Sequence, residues 1–413
     1  MRYFLVVLLG IGLISCSKKE EKMFTLVSPD QTKVDFVNLI EETDSFNILK
    51  NEYMYNGGGV GVADLNNDGY SDLIFTGNKV KSRVYLNNGD FSFKDITNNL
   101  KGLTNDRWVS GVAVVDINHD GLWDIYFTCT TSEDSTLRKN MLWVNDGIQE
   151  DGMPTFTDKA EDYGIADMGY SVHAAFLDYD LDGDLDLYVL NNTVNKQVPT
   201  NYRLKMIDGS SLNNDTFYEN NGDGSFTDKT IEAGILIEGF GLGLAVSDIN
   251  KDGYPDLYVS NDYISNDLMY INQGDKTFRN TADEYLSYQS KFSMGNDVSD
   301  INQDGNPDIV TLDMLPREYE RKKQTVAGAS YLFYVNDAKY GYQHQYVRNM
   351  LQVHNGFLDD EMIPFSEVGQ MAGIYDTEWS WSPLFADYDN DGDRDLMITN
   401  GFPKDLTDKD FTN

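Results

Sequence analysis

The residues with the clearest chemical potential in this chain are acidic, and they recur at a fixed spacing. A nine-residue segment with the pattern Asp-x-(Asn/Asp)-x-Asp-Gly-x-x-Asp occurs six times. Carboxylates crowded into one short loop repel each other unless a cation lies among them. Oxygen donors without His or Cys favour a hard ion, and calcium is favoured because magnesium needs near-ideal octahedral geometry. Loops 1 to 6 are Asp64–Asp72, Asp116–Asp124, Asp178–Asp186, Asp248–Asp256, Asp300–Asp308 and Asp387–Asp395.

Each loop is therefore predicted to bind one Ca²⁺, which gives up to six ions. Positions 1, 3, 5 and 9 carry only Asp or Asn, and position 7 varies in type, as expected if its backbone carbonyl is the ligand. Position 6 is always Gly, because the sharp turn needs a residue that takes positive φ without strain. The predicted ligands are Asp64, Asn66, Asp68, Tyr70, Asp72, Asp116, Asn118, Asp120, Leu122, Asp124, Asp178, Asp180, Asp182, Asp184, Asp186, Asp248, Asn250, Asp252, Tyr254, Asp256, Asp300, Asn302, Asp304, Asn306, Asp308, Asp387, Asp389, Asp391, Asp393 and Asp395.

An EF-hand has a similar spacing but requires a bidentate Glu at position 12. The residues at that position here are Phe75, Phe127, Val189, Val259, Thr311 and Ile398. They belong to β-forming runs such as LIFT and LYVS, so each loop is predicted to join two strands. An acidic hairpin turn that binds no metal is the alternative for a single copy, and six copies with the same Gly and the same final Asp disfavour it.

The repeat extends beyond each loop. A small-residue strand precedes the loop, a second strand follows it, a third ends in an Asn-Gly-type turn, and a fourth begins at Phe in the first five units. Four antiparallel strands per unit predict an all-β fold, a β-propeller of six or seven blades, with the loops between the first and second strands. The loops start 52 to 87 residues apart, which places insertions near 191–216 and 313–349.

The units resemble FG-GAP repeats, also called VCBS repeats, which build the head of the integrin α-subunit. Phe240-Gly241, followed by Gly243, Ala245, Val246 and Ser247-Asp248, nearly reproduces the string that names the family. The resemblance covers about residues 36–400 and is greatest to bacterial proteins of the cartilage-acidic-protein-like group. In that group an ASPIC/UnbV domain often follows the propeller, and nothing similar to it is present in this sequence.

The sixth unit stops after its second strand, LMITNG at 396–401, so we expect a chain truncated at its C-terminus. The segment 24–37 is similar to a fourth strand plus linker. We expect it to close the ring by completing the last blade. Domain organisation is then a leader at 1–15, a tether at 16–23 and a propeller at 24–413.

The N-terminus has the character of a bacterial lipoprotein leader. A basic start and a short apolar core end in Leu-Ile-Ser before Cys16, which resembles a lipobox. The resemblance implies cleavage before Cys16 and lipidation of that residue, and an ordinary secretory signal is the alternative. The charged residues that follow resemble the export tag of surface lipoproteins in Bacteroidetes-type bacteria. We therefore expect a lipid-anchored protein of the bacterial cell envelope, in the outer membrane and exposed at the surface.

Composition excludes some functions and favours others. The formal net charge of −36 argues against nucleic-acid binding, which needs clustered Lys and Arg. The segment 316–348 is the basic exception, with six Lys or Arg against three acids, and its REYERKKQ stretch is predicted to be helical. It could bind a partner or pack over an acidic face of the propeller.

The Cys129 thiol has no internal disulfide partner and is expected in the core.

No set of residues indicates catalysis. The four His residues lack zinc-type spacing, and neither a nucleophile elbow nor a phosphate-binding loop is present, so we predict no catalytic and no cofactor-binding residues. The function expected is a calcium-binding surface lipoprotein that binds or adheres to a glycan or protein ligand. The alternative is a surface carbohydrate-active enzyme, a hydrolase or lyase, on the same propeller. Aromatic side chains that could bind glycans, or pack between blades, are Trp108, Trp379 and Trp381.

Overall fold

The computed structural model describes residues 23–402, except 105, 195–199, 201–202, 326–330 and 360. The predicted leader, Cys16 and most of the tether lie outside these residues. Within the described part of the chain, none of the helices is long and apolar enough to cross a membrane.

The chain folds into a six-bladed β-propeller of antiparallel sheets, as the repeat predicts. Blades 1 to 4 each have four strands that neighbour one another in chain order. Blade 1 contains β1 (Val60–Ala63), β2 (Asp72–Phe75), β3 (Arg83–Asn87) and β4 (Phe93–Asp95). Blade 2 contains β5 (Trp108–Val115), β6 (Asp124–Thr130), β7 (Met141–Ile148) and β8 (Pro154–Asp158). Blade 3 contains β9 (Ser171–Leu177), β10 (Asp186–Asn191), β11 (Thr216–Asn220) and β12 (Phe226–Asp228), and blade 4 contains β13 (Gly241–Ser247), β14 (Asp256–Asn261), β15 (Leu268–Asn272) and β16 (Phe278–Asn280).

The second part of the ring is less regular. Its strands are β17 (Gln289–Ser290), β18 (Asn296–Ser299), β19 (Asp308–Thr311), β20 (Met314–Leu315), β21 (Gln345–Tyr346), β22 (Met350–Val353), β23 (Phe357–Leu358), β24 (Glu361–Met362), β25 (Ser366–Glu367), β26 (Glu378–Ala386) and β27 (Asp395–Asn400). Blade 5 consists of β18, β19, β22 and β25. Blade 6 consists of β26 and β27, with β20 paired to the start of β26. The described residues contain no third or fourth strand for blade 6.

Helices are few and short. They are α1 (Pro29–Thr32), α2 (Ala160–Tyr163), α3 (Ala282–Tyr285), α4 (Tyr319–Thr325) and α5 (Tyr331–Lys339), with 3-10 turns at Thr97–Asn99 and Ser135–Leu137. The helix predicted in the basic insertion is α4.

The basic insertion packs against acidic residues at the junction of blades 5 and 6. Arg317 Nε lies 3.2 Å from Asp376 Oδ1, and Lys322 Nζ lies 3.4 Å from the other oxygen of the same carboxylate. Arg321 Nε lies 2.9 Å from Glu378 Oε2. These ion pairs place the insertion over the acidic propeller, which is the second of the two roles considered for it.

Apolar side chains fill the spaces between consecutive blades. One cluster joins blades 1 and 2 through residues such as Ile74 and Phe127, and equivalent clusters follow around the ring. Burial of these faces is the main favourable term for assembling the ring. The Cys129 thiol lies in this interior, and Trp108 is buried in a separate cluster with Ile48 and Met54, so both pack as core residues.

The N-terminal segment 24–58, which we call the strap, connects blade 6 to blade 1. Phe24 contacts Tyr388 of loop 6 with ring centroids 5.6 Å apart, and Phe36 stacks on Phe75 of β2. The prediction of a strand in 24–37 was wrong, because a short helix capped by Ser28 forms there and the remainder has no regular structure. Side-chain contacts replace the hydrogen-bond ladder that was expected.

Beyond residue 38 the strap crosses the end of the propeller opposite the acidic loops. The Tyr53 hydroxyl donates to Asp262 Oδ2 at 3.1 Å, just after β14, and Met54 is buried. Tyr55 packs edge-on against Phe402, which follows blade 6. The strap therefore holds together blades that are distant in the sequence.

Candidate metal centres in the six acidic loops

The first Asp of each loop holds the turn. In loop 1 the backbone N–H groups of Asp68 and Gly69 donate to the two oxygens of Asp64, at 3.0 and 2.7 Å. The same pair of bonds forms in the other five loops. The Asp at position 5 then accepts from the N–H of position 7. The backbone consequently curls around the carboxylates.

Two residues in each loop take left-handed backbone conformations. Gly at position 6 has φ between 81° and 99°, which explains why no other residue type occurs there. Position 4 also has positive φ, between 53° and 60°, although it is never Gly. This second turn residue was not predicted, since its members share no side-chain type. They are Asn67, His119, Leu181, Lys251, Gln303 and Asn390.

The ninth residue of each loop begins the second strand and joins the loop to the rest of its blade. In loop 4, Asp256 accepts from Ile249 N at 2.8 Å and from Asn272 N of the third strand at 2.8 Å. Loops 1, 2, 3 and 5 repeat this arrangement. In loop 6, Asp395 accepts only from Tyr388 N among the described residues, at 3.0 Å.

Burial affects the proton equilibrium of these carboxyls. It raises the pKa of Asp72 and of Asp124 to about 6, and the pKa of Asp186 and of Asp256 to about 7, against the smaller opposite effect of the backbone N–H donors. A nearby cation favours the charged form of a carboxyl and opposes such a shift.

Three carboxylates converge in loops 3 and 6. Asp178, Asp180 and Asp186 offer oxygens within 4.8 Å of one another, and so do the equivalent residues Asp387, Asp389 and Asp395. These are positions 1, 3 and 9, three of the predicted ligands. The carboxylate at position 5 lies outside both groups, since it is turned toward position 7.

The other four loops have Asn at position 3, which offers an amide oxygen in place of a carboxylate. Asn66 Nδ2 donates to Asp68 Oδ2 at 2.9 Å, while Asn66 Oδ1 is buried and has no hydrogen-bond partner among the described residues. Carboxylate and amide oxygens without nitrogen or sulfur donors match the preference of Ca²⁺. The residues present therefore fit the predicted ion.

Loop 3 has a basic neighbour. Lys276 comes from the hairpin between β15 and β16, and its Nζ lies 2.6 Å from Asp180 Oδ2 and 2.6 Å from Glu219 Oε1. These carboxylates raise the pKa of Lys276 further above its ordinary value. An ion in loop 3 would share Asp180 with this ammonium group.

Position 4 connects neighbouring loops. Asn67 Nδ2 donates to Gly121 O of loop 2 at 3.1 Å, and Gln303 Nε2 donates to Gly392 O of loop 6 at 3.0 Å. His119 Nε2 of loop 2 lies 3.8 Å from Asp184 Oδ1 of loop 3. These contacts join loops 1, 2 and 3 to one another and loop 5 to loop 6.

A second repeated residue, at the opposite end of the blades, was not recognised in the sequence. The residue just before the third strand accepts a hydrogen bond from a backbone N–H near the end of the second strand. In blade 3, Asp215 accepts from Asn191 N at 2.8 Å and from the Tyr188 hydroxyl at 2.6 Å. The set is Ser82, Asn140, Asp215, Asp267 and Asn349. Its three residue types explain why the pattern escaped detection.

The FG-GAP-like repeat family matches residues 64–127, 206–259 and 248–311. No curated protein matches the sequence. Among solved structures, a lectin from Agrocybe aegerita, described as recognising non-reducing terminal N-acetylglucosamine, is 17% identical with a TM-score of 0.45 and covers 82% of this chain and 73% of its own. A glucose dehydrogenase is 9% identical with a TM-score of 0.41, covering 84% and 96%. The V. cholerae biofilm matrix protein Bap1 is 13% identical with a TM-score of 0.32, covering 63% and 35%. The chain is therefore a six-bladed β-propeller in which residues 64–127 and 206–311 match the FG-GAP-like repeat.

Proposed function

We propose that the protein is a calcium-stabilised binding module of the bacterial cell envelope, which holds a glycan or a protein ligand. The observation that carries the metal part is the convergence of three carboxylates in each of loops 3 and 6. The loops recur in all six blades with the same internal hydrogen bonds, so a role in holding the ring together suits them better than a role in one reaction.

Calcium removal tests this proposal. Extracellular calcium modules bind with dissociation constants of roughly 10⁻⁴–10⁻³ M. At about 1 mM calcium each site then contributes about 0.4–1.4 kcal/mol, and six independent sites contribute roughly 2–8 kcal/mol. We expect excess chelator to lower the melting temperature substantially, and calcium but not magnesium to restore it. An unchanged melt, together with no calcium by elemental analysis, would overturn the metal assignment.

Titration calorimetry gives a sharper test at one loop. Asp389→Ala removes the side-chain oxygens of position 3 from loop 6, where no lysine pairs with the converging carboxylates among the described residues, in contrast to loop 3. The calcium stoichiometry should fall by one, or the weakest site should be lost. Asp223→Ala, in an exposed hairpin of blade 3, is the matched control and should leave the stoichiometry unchanged.

The anchor is a separate part of the proposal. It rests on the lipobox-like sequence before Cys16 and on the charged residues after it. Metabolic labelling with an alkynyl fatty acid in a bacterial host should label the native chain and not Cys16→Ser. Label that survives this substitution would refute lipidation at Cys16.

Binding and catalysis are separated by one assay. The purified propeller is incubated with a panel of polysaccharides, and both retention and released reducing sugars are measured. We expect retention without release. Turnover that a single Asp→Asn substitution outside the six loops abolishes would establish the enzyme instead.

A further inference from the structure

The propeller encloses a cavity at the end of its axis opposite the acidic loops. Its volume is 710 Å³, which is within the range of small-molecule sites. The first strands of blades 1 to 4 and the two strands of blade 6 contribute to its walls. Residues 50–54 and 56–58 of the strap cover part of it, so the cavity lies between the blades and the strap.

Several polar groups around this cavity have unused hydrogen-bonding capacity. The Asn192 side chain is 3% exposed; its Nδ2 donates to Gly241 O at 3.1 Å, but its Oδ1 has no partner among the described residues. The His173 ring and the hydroxyls of Thr131 and Thr193 make no hydrogen bond to another described residue. Buried polar groups are normally paired, and a pocket where they converge favours a ligand that pairs with them.

The cavity is nearly neutral in a strongly acidic protein. Lys50 and Glu52 are its only fully charged lining residues among those described, they have opposite signs, and both are exposed at the strap. Burial lowers the pKa of His173, so its ring is uncharged at neutral pH. A charged ligand would find no matching charge inside.

Apolar and aromatic surfaces alternate with the polar groups. Tyr170 lines the cavity with the Arg138 guanidinium 4.1 Å from its ring centre. Val60 and Leu384 are 60% and 54% exposed, which is unusual for the inner strands of a folded core. Hydroxyls and amides beside ring and aliphatic faces suit a sugar, which has polar edges and apolar C–H faces.

We propose that this axial cavity binds an uncharged saccharide of about one to three sugar units. The inference rests on the binding-module function proposed above, and it assigns that function a site and a class of ligand. The acidic loops then stabilise the ring from one end, while the ligand is held at the other.

Cavity filling tests the site. Val60→Trp places a large side chain in the cavity from a position that is already exposed. Val62→Trp is the matched control, because Val62 lies two residues along on the same face of β1, is 58% exposed, and does not line the cavity. Calorimetry with maltotriose, cellotriose and triacetylchitotriose as probes should detect saturable binding of at least one to the native protein and to Val62→Trp. Binding to Val60→Trp should be lost, with the melting temperature of both variants near that of the native protein.

A second variant keeps the cavity open. His173→Leu removes a polar ring of similar size, and affinity should fall about tenfold, as expected for one lost hydrogen bond. Saccharide binding that Val60→Trp leaves intact would overturn the cavity assignment but keep the binding module. Trigalacturonate is added as a charged probe. Binding of trigalacturonate alone, or of none of the four trisaccharides, would overturn the proposal of an uncharged saccharide. The calcium experiments do not depend on either result.

Discussion

Several carboxylates of this protein are buried, so their protonation affects its stability. Asp215 and Asp267 are both buried, and each accepts a phenol hydroxyl and a backbone N–H. Burial raises the pKa of each to about 7. In blade 2 the same place is taken by Asn140, whose Oδ1 accepts from Cys129 N and whose Nδ2 donates to a tyrosine hydroxyl.

The substitution Asp215→Asn should therefore change the pH dependence of stability. Folding raises the pKa of Asp215 above the unfolded value of about 3.9, so the native state binds the extra proton between about pH 4 and 7, and the free energy of unfolding falls as pH rises through that window. Denaturant unfolding at pH 5 and at pH 8 should show that the free energy of unfolding of the variant rises relative to that of the native protein as the pH increases. The change is up to about 1.4 kcal/mol per pH unit. A difference that stays constant with pH would contradict the assignment.

Leu181 is the one position-4 residue that is both apolar and exposed, at 52%, and it has φ of 59°. Asn tolerates this conformation better than Leu and occupies the same place in loops 1 and 6. We expect Leu181→Asn to raise the free energy of unfolding by about 0.5–1 kcal/mol. Asn67→Leu in loop 1 should change stability with the opposite sign, and denaturant unfolding of both variants measures the two effects.

At the scale of an element, the ninth Asp joins a loop to two strands at once. Asp256 is fully buried and has partners on the loop and on β15, whereas Asp395 is partly exposed and lacks a third-strand partner among the described residues. The difference arises because the described residues of blade 6 include no strand at the place that β15 takes in blade 4. The ninth Asp of the motif therefore joins two strands to the loop in blade 4 but not in blade 6, among the described residues.

Asp256→Ala should destabilise the protein by about 2–4 kcal/mol, since it leaves buried N–H groups of Ile249 and Asn272 without an acceptor. Asp395→Ala should cost less than about 1 kcal/mol. Denaturant unfolding of both variants in excess chelator, which removes any contribution from metal, measures this difference. If both variants lost the same free energy of unfolding, the hydrogen bond from the third strand would add no stability.

For the whole molecule, the ring is least protected at blade 6. Most of β27 is exposed or half-buried, while β14 is buried throughout. Edge strands with exposed hydrogen bonds open more readily than central ones. Native-state hydrogen exchange should therefore be faster in 395–400 than in 256–261, by orders of magnitude.

The blades were predictable because their signals are local. Asn-Gly turns, a Phe at or near the start of the fourth strand in blades 1 to 5 and the spacing of the loops all lie within a few residues of the structure they specify. Non-local features were missed. The strap alternates apolar and polar residues as a strand does. Phe36 and Tyr53 nevertheless contact side chains of blades 1 and 4, and these contacts take the place of a backbone hydrogen-bond ladder. The cavity was also beyond prediction, since Val60, His173 and Asn192 meet only when the ring closes.

The contact between Phe24 and Tyr388 fixes where the chain leaves the propeller, which is at the acidic loops. Cys16 precedes Phe24 by eight residues, which span at most about 29 Å when extended. A lipid on Cys16 would hold the acidic face toward the bilayer, where bound calcium could bridge the loops and anionic headgroups. The axial cavity would then open away from the membrane, toward whatever surrounds the cell.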